Sequence, residues 1–131
     1  MSVEYSMSPS GKKFRLPAPD EYVQEFERLK EITENQRALG REIVVVMGVG
    51  FVGAVMAAVV ADTEDKEGKP NKFVIGMQRP SVRSFWKIPL LNRGLPPVEA
   101  EDPEVAPLIY RCVKEKKILL HLITRIKQLY L

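Results

Sequence analysis

Six consecutive residues in this chain could hold a phosphate with no charged side chain. They are Gly48-Val49-Gly50-Phe51-Val52-Gly53, which match the pattern G-x-G-x-x-G. Where such a run ends a strand and opens a helix, each glycine has its own task. The first makes a tight turn, the second lets the backbone approach a pyrophosphate, and the third lets helix and strand pack closely. The unpaired N–H groups and the positive dipole end of the helix then face the anion. Other chemistry-bearing residues are scarce. Cys112 is the one cysteine and His121 the one histidine, and both are far from the glycines in sequence, so they do not make a nucleophile and base pair. Cys112 falls on an apolar helical stripe beside Ile109 and Val113, where a thiol is a packing group. His121, within ILLHLIT, reads as a packed residue and not as a general base.

The same glycines interrupt an uncharged stretch, IVVVMGVGFVGAVMAAVVA, from 43 to 61. Its length approaches the about 20 residues that cross a bilayer. Three glycines close together argue against a continuous helix, since each costs about 1 kcal/mol relative to alanine. The flanks carry Arg41 and Glu42 before, and Asp62, Glu64, Asp65 and Lys66 after. That mixture gives little positive-inside asymmetry. The reading is therefore strand, turn and helix, with no membrane span.

The neighbouring residues supply the elements such a turn needs. Ile43 to Met47 is a short β-branched run suited to a strand buried on both faces of a parallel sheet. AVMAAVVAD reads as a helix lying close against that sheet. Residues 62–72 form a charged loop broken by Gly68 and Pro70, and Phe73 to Met77 is a second apolar strand. Strand, helix and strand make a βαβ unit. Before it, Tyr22, Phe26, Leu29 and Thr33 recur at helical spacing, with Asp20 and Glu21 at the favourable end and Gly40 as a stop. After it, Pro80, Pro89, Pro96 and Pro97 exclude long regular elements from 78 to 97. Residues 104–117 are helical in pattern, and 118–131 fit either a helix or a strand. The expected organisation is a flexible tail over 1–19, an N-terminal helix over 20–40 and a partial dinucleotide-binding domain over 41–131. The fold class is α/β, a Rossmann-like parallel sheet holding the first βαβ half.

Composition bounds the partners. With 131 residues, 45% apolar and 28% charged, the chain has the make-up of one globular domain. A net charge of +3, without a basic cluster interleaved with aromatics, gives no nucleic-acid footprint. One cysteine excludes an internal disulfide, and MSVEYSMSPSGKKFRLPAPD lacks the apolar core of a secretory signal. A cytoplasmic location is expected.

A dinucleotide site usually has an acidic residue at the end of the second strand, binding the ribose hydroxyls. Here Gln78 stands there. It can hydrogen-bond a hydroxyl but brings no charge to repel a 2′-phosphate, and Arg79 and Arg83 follow it. NAD is the expected coenzyme, with NADP left open.

Taken in order, IVVVMGVGFVGAVMAAVVA, FVIGMQRP and LLNRGLPPVEAEDPEV resemble the N-terminal coenzyme domain of the UDP-glucose/GDP-mannose dehydrogenase family. The resemblance covers residues 43 to about 110. It implies an NAD-linked, four-electron oxidation of a nucleotide sugar to its uronic acid. It also implies that Gly48, Gly50, Phe51, Val52 and Gly53 form the coenzyme turn, with Gln78 at the ribose-binding position and Arg79 beside it. Two departures stand out. Gln78 replaces an acid, and RPSVRSFWKIP interrupts the usual spacing. Nothing in the chain matches the family's glycine-rich loop with its nucleophilic cysteine, so no catalytic residue is assigned. The expectation is a coenzyme-binding portion that is inactive without the missing sugar-nucleotide domain. The alternative is a non-catalytic half-Rossmann module for assembly or regulation, in which an open sheet edge favours a homo-oligomer.

Overall fold

Two short strands open the chain. β1 (Tyr5–Met7) and β2 (Lys13–Arg15) pair antiparallel with Ser6 opposite Phe14 in the computed structural model, which describes residues 4–79, 81–97 and 101–123. This hairpin corrects the expectation of a loose tail over 1–19. Its anchors are a buried Ser6 and a buried Leu16. The Ser6 hydroxyl oxygen accepts the Trp86 backbone N–H at 2.9 Å, and the Arg93 guanidinium lies 5.7 Å from the centre of the Phe14 ring.

Helix α1 (Pro19–Ala38) follows, with proline in the first turn where its missing N–H costs nothing. The Glu21 carboxylate accepts the Ala18 N–H at 3.2 Å and Arg15 at 2.8 Å, closing the helix start. Tyr22, Leu29 and Thr33 are its buried face, and Gly40 turns the chain at a φ of 81°.

The centre is a parallel sheet. β3 (Glu42–Met47), α2 (Phe51–Ala61), β4 (Lys72–Gln78), α3 (Lys87–Asn92), α4 (Val105–Tyr110) and β5 (Leu119–Ile123) follow in order. A π-helical turn, Arg111–Glu115, extends α4. The strand order is β3-β4-β5, with Val45 opposite Ile75 and Ile75 opposite Leu120. The fold is α/β with a partial Rossmann-like sheet. β4 is central, and its run Phe73 to Met77 is buried throughout. One core joins Leu29 of α1 to Phe73, Ile75, Met77 and Leu122. The larger core, on the opposite face, packs Ala54, Ala57, Ala58 and Ala61 of α2 against Val74, Ile109, Cys112 and Leu119.

Two further expectations change. β3 is not buried on both faces: it is an edge strand with Val45 41% and Met47 50% exposed, because α1 covers only part of its face and β4 pairs on one side alone. The ambiguous stretch from 118 begins as strand β5, and the rest of it, 124–131, lies outside the described residues. The helical pattern over 104–117 is present as α4 and its π-helical turn. At the far end of α2, Asp62 accepts Arg111 at 2.9 and 3.1 Å and Lys116 at 3.1 Å. The Arg111 hydrogen bonds hold its carboxyl down at about 2.

Ser6→Ala leaves the Trp86 N–H buried without its acceptor, so a loss of roughly 1–3 kcal/mol is expected. Urea unfolding measures it, and an unshifted midpoint means the hairpin does not hold the loop at Trp86.

Candidate functional site

The glycine run lies at the carboxyl ends of β3 and β4, where ligands sit in open parallel sheets. β3 stops at Met47, and Gly48 turns the chain at a φ of 84°, a conformation that side chains with a Cβ resist. The Gly48 N–H donates to the Met77 carbonyl at 2.7 Å, and the Val49 N–H donates to Gln78 Oε1 at 3.0 Å. Val49 itself is fully buried. The turn is thus fastened to the end of β4 at two successive amides.

The other two glycines differ in a way that fits a dinucleotide. A Cβ on Gly50 would meet nothing within 4 Å, so the space over its backbone is open. A Cβ on Gly53 would fall on the Gly48 carbonyl oxygen. The helix therefore crosses its own entry turn at a distance only glycine allows. Gly50 is the N-cap of α2, no side chain caps the helix and its first turn has no acid. The amides of Phe51, Val52 and Gly53 consequently have no intrahelical acceptor, and Phe51 and Val52 are exposed. Neutral amides converge on open space at the positive end of a helix dipole, an arrangement that fits the pyrophosphate of a dinucleotide.

Gln78 is brought to the turn as the sequence suggests, but its amide is engaged differently. Its oxygen accepts from Val49, and its nitrogen lies 3.4 Å from Ser84 Oγ. Each polar end thus has one protein partner, and the oxygen keeps a second lone pair and the nitrogen a second N–H. Arg79 follows directly and is exposed. Arg83 is exposed as well, in a loop pinned by its neighbours. Its N–H donates to Ser81 Oγ at 3.2 Å, and its carbonyl accepts the Trp86 indole N–H at 3.0 Å. Sequence reasoning missed Ser84, Ser6 and Trp86 as the anchors of this loop, because no spacing rule links a serine at position 6 to an amide at 86.

Cys112 and His121 stay out of any catalytic pair. The Cys112 thiol lies 3.5 Å from the Ala58 carbonyl, and burial pushes it up to about 11, so it is protonated at neutral pH. His121 is buried beside the space over Gly76, where a Cβ would stand 2.8 Å from both its ring and the Val49 side chain. Asn92 clamps it from β5's other side: Asn92 Oδ1 accepts the His121 N–H at 2.8 Å and Asn92 Nδ2 donates to the His121 carbonyl at 2.7 Å. With Oδ1 thus fixed as the acceptor, the ring Nδ1 at 3.2 Å must carry the proton. Nε2 is left buried without a partner. Burial holds the imidazole down at about 4. Among the described residues there is no cluster that could hold a metal ion and no helix long and apolar enough to cross a membrane.

Comparison with known proteins gives one informative likeness. The chain is similar to the crystal structure of NDP-N-acetyl-D-galactosaminuronic acid dehydrogenase from Methanosarcina mazei Go1, with 31% identity and a TM-score of 0.53. The likeness covers 69% of this chain and 18% of that protein. The fold is dehydrogenase-like. No family model and no curated protein matches the sequence.

His121 also sets an acid limit. The folded protein keeps the ring neutral while the unfolded chain, near 6.5, takes up a proton. Stability is therefore complete above about pH 6.5 and falls as pH drops toward about 4, by roughly 3 kcal/mol. Urea unfolding at steps between pH 7 and 4 should show this slope, and His121→Gln should flatten it. An equal slope in both proteins would remove His121 as its source.

Proposed function

We propose that this chain is the N-terminal coenzyme-binding portion of a nucleotide-sugar dehydrogenase, one that oxidises an NDP-sugar to its uronic acid. The carrying observation is the pair of glycines with opposite surroundings: Gly50 under open space and Gly53 with none, beside an uncapped helix start. The likeness to a dehydrogenase supports the same reading. The residues assigned to the coenzyme are Gly48, Gly50, Phe51, Val52 and Gly53, with Gln78 bracing the turn and Arg79 at its rim. When bound, a nicotinamide dinucleotide supplies the hydride acceptor. The chain's own part is to receive the adenosine and pyrophosphate on neutral amides.

The chain spans 18% of the similar dehydrogenase, and none of its described side chains forms a nucleophile and base pair. Oxidation of an NDP-sugar is accordingly assigned to the completed enzyme, in a cytoplasmic setting where Cys112 stays a thiol. NAD and ADP-ribose should bind the isolated chain without turnover of UDP-sugars. Gly50→Val places a branched side chain in the open space and should weaken both ligands at least about tenfold, read by calorimetric titration. Equal binding by the variant would rule out the turn as the site, and NADH formation from UDP-glucose would refute inactivity.

A second reading is favoured by one surface. Val45 and Met47 on the open edge strand, and Phe51, Val52, Met56 and Val59 on α2, are all exposed. A helix apolar on every side calls for a covering partner. In this reading the chain is a half-Rossmann assembly module that pairs edge to edge with a second copy. Sedimentation should then report a dimer that Val45→Lys with Met47→Lys converts to monomer. A monomeric wild type at high concentration would dismiss it.

A further inference from the structure

We propose that Asn92 is an edge plug: its carboxamide fills the strand-pairing position beside His121 and keeps β3 of a second copy from adding to β5. The proposal goes beyond the coenzyme reading and does not depend on it. β5 is the outer strand of the order β3-β4-β5. The Ile118 carbonyl accepts the Val74 N–H at 2.9 Å and therefore points at β4. Successive residues of a strand turn their backbone groups to opposite sides, so those of Leu119, His121 and Ile123 point off the sheet. A strand added there would have to pair with all three, and His121 is the middle one.

That middle position is taken. Asn92 Oδ1 accepts the His121 N–H at 2.8 Å, and Asn92 Nδ2 donates to the His121 carbonyl at 2.7 Å. A carboxamide carries an acceptor and a donor in one plane, the two groups that a neighbouring strand would supply. The residue is also held in place. It ends α3, whose Ile88 and Leu91 are buried, and the Gly94 and Leu95 N–H groups donate to the Leu91 and Leu90 carbonyls at 2.9 and 3.1 Å. Clefts lie along β5 on either side of it, one lined by Tyr22, Phe85 and Leu122 and the other by Ile32, Phe73 and Leu120; Asn92 lines both. Without the plug, the apolar side chains of an added strand would find cover on both flanks.

The strand that the protein itself offers is β3 of another copy. Its run from Ile43 to Met47 is uncharged, β4 pairs with it on one side alone, and Val45 and Met47 are exposed. A β3-to-β5 contact is head-to-tail, because each copy gives one edge and receives at the other, and such contacts repeat into open filaments unless the rotation closes a ring. Pairing of two β3 strands stops at a dimer. Closing β5 thus restricts association to forms that end.

The test uses the intact chain. Asn92→Leu nearly keeps the size of the side chain and removes both hydrogen-bonding ends. In sedimentation velocity its mean mass should rise at least about threefold over a roughly tenfold increase in concentration, while wild type stays at or below a dimer. Asn92→Asp keeps an acceptor for the His121 N–H and puts a charge on the edge, so it should lose stability without forming polymers. Adding Val45→Lys and Met47→Lys to Asn92→Leu should return it to monomer. A folded Asn92→Leu that stays at the wild-type mass overturns the proposal, as do polymers that survive the two lysines or form equally with Asn92→Asp. Should Asn92→Leu not fold, amide hydrogen exchange of wild type decides. The His121 N–H should be protected to within about tenfold of the Leu120 N–H, which lies inside the sheet, and exchange at the rate of an open amide overturns the plug.

Discussion

The close crossing of α2 over its own entry turn is the constraint on which the remaining structure depends. Gly53 sits so near the Gly48 carbonyl that no Cβ fits between them. A helix held that close needs a thin inner face, and Ala54, Ala57, Ala58 and Ala61 provide it. Each alanine loses no side-chain entropy on burial. Their small size lets α2 lie on β4, which in turn is clamped from the other face by Leu29 of α1. Gly76 extends the same economy of space, since both Val49 and the His121 ring press on the volume over it. Gly50, between the buried Val49 and the close contact at Gly53, keeps open space over its backbone.

Charge is segregated along α2. Its start is free of side-chain charge, and no side chain caps its first amides. Its end carries Asp62, an anion at the negative pole of the helix and so unfavourably placed by itself. Arg111 and Lys116 offset it, and in doing so they tie the helix to the π-helical turn before β5. The ion-paired end and the uncharged end are thereby kept apart on one eleven-residue helix. The burial of Cys112 between these partners and Ala58 explains why a lone thiol here is a packing group.

The open edge of β3 is the other large feature. In a sheet whose central strand is β4, the strand that leads into the glycine turn is left with one side unpaired and with Val45 and Met47 in solvent. A strand edge of that composition is a template for pairing with another strand. The chain spans 18% of the dehydrogenase it is similar to.

Local chemistry was enough to specify the strand, turn and helix around Gly48 to Gly53, the second strand at Phe73 to Met77 and the helix that buries Tyr22, Leu29 and Thr33. Those features follow from backbone freedom and side-chain periodicity, which are properties of neighbouring residues. The hairpin at Tyr5 to Arg15 was not legible, since three-residue strands carry no period and their stabilising contacts lie some eighty residues away, at Trp86. The edge position of β3 was equally hidden: a run such as Ile43 to Met47 has the same pattern whether one neighbour or two will pair with it. Only the assembled structure decided that Gln78 braces Val49, because a carboxamide takes whichever donor tertiary packing brings within reach. Sequence set which groups were available, and the three-dimensional arrangement selected their partners.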